Sequence, residues 1–297
     1  MSLIQETKFI MDKYNIKANK SLGQNFLIDE DVVLKIVDKS EVCKDDFVIE
    51  IGPGLGTLTA VLLERAGFVT CIELDKRMVN IITDRFYLYK NLEIIKEDVL
   101  KVNLKELIEE KKLHYNIKNV KVVANLPYYI TTPIIMKLLE ERLDLESITV
   151  MVQKEVAYRL AEKPGGKESG AITYSINYFS IPEILTLVPN TSFIPSPEVD
   201  SAVIKLKLLE NPRVKVKSED ILFKVIKIAF MQKRKTLLNA LYNGNVLSSK
   251  DELLDMFKKL NINEKIRAEK LTLEEFAEIA DYIKIHKSGD RDEKENK

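Results

Sequence analysis

The 297-residue sequence predicts an α/β chain: a mostly parallel sheet with helices on both faces, followed by a smaller all-α domain. Three observations carry that prediction. Short β-branched apolar runs alternate with amphipathic stretches of helical period, the pattern of successive β/α units. The first of these runs opens into a glycine-rich turn, Gly52-Pro53-Gly54-Leu55-Gly56. Beyond Asn211-Pro212 the strand signals stop and only helical periodicity remains.

The elements follow in order. After a polar leader, residues 29–38 place Val32, Val33, Ile36 and Val37 on one helix face. Strands are predicted at 47–51, 68–73, 92–95, 120–124 and 147–152, and helices at 58–65, 78–87, 134–141 and 155–161. Two more strands, 183–188 and 201–208, are joined by a proline-rich stretch from Pro189 to Pro197. That link has no helical crossover, so a final antiparallel pair is expected on the parallel sheet. Helices are then expected at 221–241, 250–260 and 273–285, with Ser218 and Asp220 marking a helix start. The organisation is therefore a first domain over 1–209, a helical domain over 210–286, and a charged tail, 287–297, expected to be disordered.

Composition narrows the function. A hydrophobic content of 45% is ample for a packed core. Cys43, Cys71, His114 and His286 lie far apart, which argues against a zinc site and a disulfide framework. Cys71 sits in an apolar run and reads as a buried thiol. The first residues hold no sustained apolar stretch, so neither a signal peptide nor a membrane span is expected, and the protein is expected in the cytoplasm. Net charge is zero, but nine positive residues between Arg213 and Lys250 face only Glu219 and Asp220, a local balance of +7. Such a segment is either an electrostatic footprint for phosphate or a solvated helix face.

The chemistry-bearing residues fall at strand ends, where open α/β sheets place ligands. Asn125-Leu126-Pro127-Tyr128 follows the fourth strand. The Asn125 side-chain oxygen and a backbone carbonyl held by Pro127 can each accept a hydrogen bond from an exocyclic amine, and Tyr128 offers a face to a nucleobase. A plain strand-to-turn junction is the alternative. In the glycine turn, the third glycine comes one residue earlier than a dinucleotide fingerprint requires, which favours S-adenosylmethionine over a nicotinamide nucleotide. Glu73, ending strand two, can accept both ribose hydroxyls of either cofactor. Asp98, after strand three, can accept from an adenine amine, with Val99 alongside. Gly52, Glu73, Asp98 and Asn125 recur about one β/α unit apart and line one edge of the sheet.

Four segments occur in order: Ser21-Leu22-Gly23-Gln24-Asn25-Phe26-Leu27, the loop from Glu50 to Gly56, Asn125-Leu126-Pro127-Tyr128, and Phe193-Ile194-Pro195-Ser196-Pro197-Glu198-Val199-Asp200-Ser201. Together they closely resemble the ribosomal RNA adenine N6,N6-dimethyltransferase family, in its small-subunit (16S) form, over residues 15–280. The resemblance implies a class I S-adenosylmethionine-dependent, Rossmann-like methyltransferase fold. It implies dimethylation of two adjacent adenosines in a hairpin loop near the 3′ end of 16S rRNA, within the small ribosomal subunit and during its biogenesis. It also places Asn25, Leu27, Gly52, Glu73, Asp98 and Asn125 around the donor. A monomer without a metal is expected. Two departures from the family pattern stand out: Met231-Gln232-Lys233-Arg234-Lys235 carries less arginine than is usual, and Ser169 replaces a common aromatic.

In this reading the target adenosine is swung out into the pocket. Asn125 and the Leu126 carbonyl accept its amine protons, Pro127 fixes the loop, and Tyr128 and Phe193 stack on the two faces of the base. Phe193 is placed on an exposed, proline-stiffened loop, the alternative being a core aromatic. Rivals are a large-subunit rRNA dimethylase, a non-catalytic assembly factor with the same fold and, more distantly, a nicotinamide dehydrogenase.

Overall fold

The computed structural model describes residues 1–19, 22–232 and 234–295, with side chains as far as His286; Ser21 of the first motif and Lys233 of the basic run lie outside the described residues. The chain divides into two compact units. The first comprises residues 1–158 and 182–208, and the second 159–181 and 209–297.

The first unit opens with helix α1 (Leu3–Lys13), where only a polar leader was expected, and a two-residue strand β1 (Phe26–Leu27). Helix α2 (Glu30–Lys39) starts where the Asp29 carboxylate accepts from the Val32 amide, 3.2 Å. The alternating units follow: β2 (Asp46–Ile51), α3 (Thr57–Arg65), β3 (Phe68–Ile72), α4 (Lys76–Phe86) and β4 (Leu92–Ile95). Helix α5 (Leu104–His114), capped by Asn103, fills a stretch left unassigned by periodicity, because its apolar stripe is short. Then come β5 (Asn119–Asn125), α6 (Thr131–Glu140), β6 (Ser147–Gln153) and α7 (Lys154–Ala161).

The sheet has the order β4-β3-β2-β5-β6 in parallel, with β9 (Ser201–Leu208) antiparallel to β6 and β7 (Ser180–Val188) outside it. The expected antiparallel addition is present. β2 is buried along its whole length, as a strand covered by helices on both faces must be. Strand β8 (Phe193–Ile194) leaves this sheet and pairs with β1. Val48, Val69, Val123 and Met151 of the central strands pack with Leu58 and Leu62 of α3 and with Val33 and Ile36 of α2 in one core.

The second unit contains α8 (Ala171–Phe179), α9 (Glu219–Met231), α10 (Leu237–Asn243), α11 (Lys250–Lys259) and α12 (Leu273–Glu295). Two expectations are corrected here. The helical domain does not begin at 210, because 159–181 belongs to it. Tyr174 of α8 is fully buried, its ring 5.3 Å from Phe230 and 4.9 Å from Phe276, and its hydroxyl donates to the Leu271 carbonyl at 2.6 Å. The single helix expected over 221–241 is two. Gln232 leaves helical dihedrals (φ −124, ψ 61), and Thr236 caps α10 by accepting from the Asn239 amide. Arg234 and Lys235 therefore stand between helices, not on one. Helix α12 runs on as far as Glu295.

Candidate active site

The strand order creates the site. From β2 the chain steps outward to β3 and β4, then returns to β5 on the other side of β2. The carboxyl ends of β2 and β5 thus flank a switch point, the place where a doubly wound sheet opens a crevice. A cleft enclosing about 1070 Å³ of space open to solvent lies there. Its walls include Asn25, Leu27, Gly52, Glu73, Asp98, Asn125, Leu126, Pro127 and Tyr128, nine of the ten residues singled out from the sequence.

The glycine turn forms the floor. Gly52 has φ +67 and donates its amide to the Ile72 carbonyl at 2.9 Å. A Cβ there would meet nothing nearer than Pro127 Cδ at 3.9 Å and the Asn125 carbonyl at 4.0 Å, so its α-carbon faces open cleft. Gly56 (φ +83) caps α3, and a Cβ there would lie 2.6 Å from Phe86 Cε2. The two glycines serve different ends, ligand approach and packing.

Glu73 follows β3 and is 8% exposed. Its carboxylate accepts from the Gly54 amide at 3.3 Å and the Asp75 amide at 2.8 Å, while burial raises its pKa. Glu50, the penultimate residue of β2, is buried beneath the cleft, and burial pushes its pKa up to about 7. The Thr59 hydroxyl (2.6 Å) and the Cys71 thiol (3.4 Å) donate to it. Among the described residues neither Glu50 nor Glu73 forms an ion pair. Two carboxylates without a protein cation fit a ligand that brings positive charge, as S-adenosylmethionine does with its sulfonium and ammonium.

The chain before β1 closes one side. Gln24 accepts from the Asn19 amide (2.9 Å) and donates to Asp75 (3.0 Å). Burial opposes ionisation of Asp75, but Arg77, 2.5 Å away, holds its carboxyl below the usual range. Phe26 packs with Leu55, Met78 and Ile81 beneath Ile10 of α1, and Arg85 ties Glu6 to the Leu55 carbonyl. Asp98 is half-buried and accepts from the Leu100 amide at 3.0 Å, with Val99 buried beside it.

Asn125 ends β5 opposite Met151. Its Nδ2 donates to the Asn25 carbonyl at 3.3 Å, which fixes the amide and leaves Oδ1 without a protein partner among the described residues. The Pro127 carbonyl is occupied by the Ile130 amide (3.2 Å) and the Thr131 hydroxyl (3.1 Å), so the turn after Leu126 is rigid. The Tyr128 hydroxyl is 2.6 Å from Ser201 Oγ, which pins the ring, and burial raises its pKa.

Phe193 is a correction. It is 3% exposed, pairs with Leu27 across β1–β8, and packs in the core with Val32, Val33 and Val188. The β pairing turns its ring inward, so it is a core aromatic and offers no face to the cleft. The sequence reading assigned no role to Glu50, Gln24 or Tyr129. Glu50 reads as one more residue of a buried strand, and the lining role of Gln24 depends on a long-range bond.

Proteins of known sequence and structure resemble the chain over most of its length. Ribosomal RNA small subunit methyltransferase A of Alkaliphilus oremlandii is 48% identical over 279 residues, covering 94% of this chain and 96% of that protein. The protein of the same name from Clostridium acetobutylicum is 48% identical over 277 residues, covering 93% of this chain and 98% of that one. A dimethyladenosine transferase from Plasmodium falciparum superposes with a TM-score of 0.71 at 27% identity, covering 89% of this chain and 98% of that chain. The 23S rRNA methyltransferase ErmE shares the fold, with a TM-score of 0.64 at 21% identity, covering 88% of this chain and 100% of that chain. A cleft at the β2/β5 switch point and an oriented asparagine at the end of β5 accompany a family match over residues 15–284, and the chain belongs to the ribosomal RNA adenine dimethylase family.

Proposed function

We propose that this chain, acting as a monomer on the small ribosomal subunit, dimethylates N6 of two adjacent adenosines in a hairpin loop near the 3′ end of 16S rRNA. The observation that carries the reading is the Asn125 amide, held through Nδ2 by Asn25 so that Oδ1 is free to accept. S-adenosylmethionine supplies an electrophilic methyl on positive sulfur. Glu73 accepts the ribose hydroxyls, Asp98 the adenine amine, and Asn25, Leu27 and the Gly52 backbone complete that wall.

Asn125 Oδ1 and the Leu126 carbonyl accept the two N6 protons of the target base, which aims the nitrogen lone pair at the methyl. Tyr128, pinned by Ser201, stacks on the base. As the nitrogen–carbon bond forms, the sulfur–carbon bond breaks, and the nitrogen becomes acidic enough to release its proton to water. No strong base is needed, and no histidine lines the cleft. Catalysis is positioning and electrostatics. Basic residues of the segment from Arg213 to Lys250 hold rRNA phosphates.

The test is mass spectrometry of 16S rRNA after small subunits from an unmethylated strain are incubated with the protein and donor. Dimethylation of two neighbouring adenosines near the 3′ end is expected. Methylation of naked large-subunit rRNA, with small subunits left untouched, would assign the chain to the other ribosomal subunit.

A further inference from the structure

We propose that Tyr129 is a second base-binding plate, at the cleft mouth, for the nucleotide next to the adenosine being methylated. This rests on the reading of the cleft as an adenosine pocket. Tyr128 and Tyr129 open the same single helical turn (Tyr128–Ile130), yet their environments differ. Tyr128 is half-buried and tied by its hydroxyl to Ser201. Tyr129 also lines the cleft but is 58% exposed. Its hydroxyl has no hydrogen-bond partner among the described residues.

The ring lies beside Gly23. A Cβ built there would lie in ordinary contact with it, 3.4 Å from Tyr129 Cδ1 and 3.6 Å from Cε1, so the missing side chain leaves a methyl-sized space next to the ring. Gly23 has φ +61, a left-handed conformation that a side chain would strain. One edge of the ring thus neighbours Gly23, and more than half of the residue remains open to solvent.

The occupant follows from chain connectivity. An adenosine held at Asn125 and Tyr128 remains bonded through phosphates to a nucleotide on each side. The strand must therefore cross the cleft mouth, where Tyr129 presents an exposed aromatic surface. Stacking there is tolerant of base identity, because every base has a π-face. It would hold the second of two adjacent adenosines while the first is modified.

The experiment uses the full chain with S-adenosylhomocysteine and a short single-stranded RNA bearing one target adenosine flanked by 2-aminopurine. Stacking quenches the probe. With the wild type, quenching on binding is expected. Tyr129→Ala should lose the quenching and bind the RNA about ten-fold more weakly, within the range of one base–aromatic stack. Tyr129→Phe should retain both within two-fold or so, and donor affinity should be the same in all three. Unchanged quenching and affinity in Tyr129→Ala would overturn the proposal. So would an effect confined to a probe placed at the target position, which would put the ring inside the pocket. Methyl transfer to subunits by Asn125→Ala with Tyr129 intact tells the two readings apart. Survival of transfer refutes the adenosine pocket, whereas loss of transfer with a silent Tyr129→Ala refutes only the mouth plate.

Discussion

Gly52→Ala and Gly56→Ala introduce the same methyl into the same turn and should fail in different ways. Both residues sit at left-handed φ, +67 and +83, so each alanine carries about 1–2 kcal/mol of backbone strain. At Gly56 the new Cβ also falls 2.6 Å from Phe86 Cε2, on a ring that is 6% exposed and packed against Tyr89. Forcing that ring aside adds roughly 1–3 kcal/mol. Gly56→Ala should therefore cost about 2–5 kcal/mol, and the first unit, at about 2–4 °C per kcal/mol, should melt roughly 4–20 °C lower. At Gly52 the Cβ has no neighbour within 3.8 Å, so stability should fall only by the strain. Its methyl instead occupies cleft space that the donor must approach. Losing one hydrogen bond to a charged group there costs roughly 1.5–3 kcal/mol, at least ten-fold in affinity. Scanning calorimetry gives the first quantity and titration calorimetry with S-adenosylmethionine the second. Equal melting losses in the two variants, or donor affinity in Gly52→Ala within two-fold of wild type, would refute the division of labour between these glycines.

Asn125→Ala should abolish most methyl transfer while RNA affinity in a filter-binding assay stays near wild type; an equal loss of RNA affinity would contradict its role as amine acceptor. Burial raises Glu50 to about 7, so its contribution to stability is full below the unfolded carboxyl pKa and is lost as pH rises through about 7. Glu50→Gln should lack that dependence, losing less stability than wild type between pH 5 and 8, by on the order of 3 kcal/mol in urea unfolding. Parallel pH profiles for the two proteins would show that Glu50 is ionised throughout. Arg234→Ala with Lys235→Ala should flatten the slope of log affinity for small subunits against log salt by one to two contacts' worth, roughly 0.7–0.9 each, with donor affinity unchanged. An unaltered slope would mean these residues are only solvated.

The sheet and the cleft were legible because the same residues encode both. A β-branched run that ends in a polar residue, as 120–124 does before Asn125, announces its strand and its ligand edge together. What stayed hidden depends on distant partners. Helix α8 is buried on nearly every side, with Thr173, Ser175 and Asn177 among its buried residues, so no clean apolar stripe marks it; Tyr174 finds its core in Phe230 and Phe276. The pairing of β1 with β8 involves two residues from each strand, too few to leave a period. Phe193 was therefore misjudged, since prolines on both sides suggested an exposed loop while the pairing that buries it left no local trace. The break between α9 and α10 shows in retrospect as Thr236, a cap residue between a basic run and Leu237-Leu238.

That small pairing also sets when the cleft wall can be complete. The Ser192 hydroxyl bonds Asp29 across 163 positions of chain, the Ile28 amide bonds the Ser192 carbonyl, and Leu27 lies beside Phe193. The wall bearing Asn25, whose carbonyl aims Asn125, is fastened by residues that leave the ribosome long after the glycine turn and Asn-Leu-Pro-Tyr. A chain ending short of Phe193 would carry both of those motifs without the β1–β8 pairing, its N-terminal wall held by Gln24 on Asp75, Phe26 in its apolar cluster and Asn125 on the Asn25 carbonyl. The cleft wall therefore gains its full set of contacts only when the chain has extended past Ser192, 163 positions beyond Asp29, and through β8.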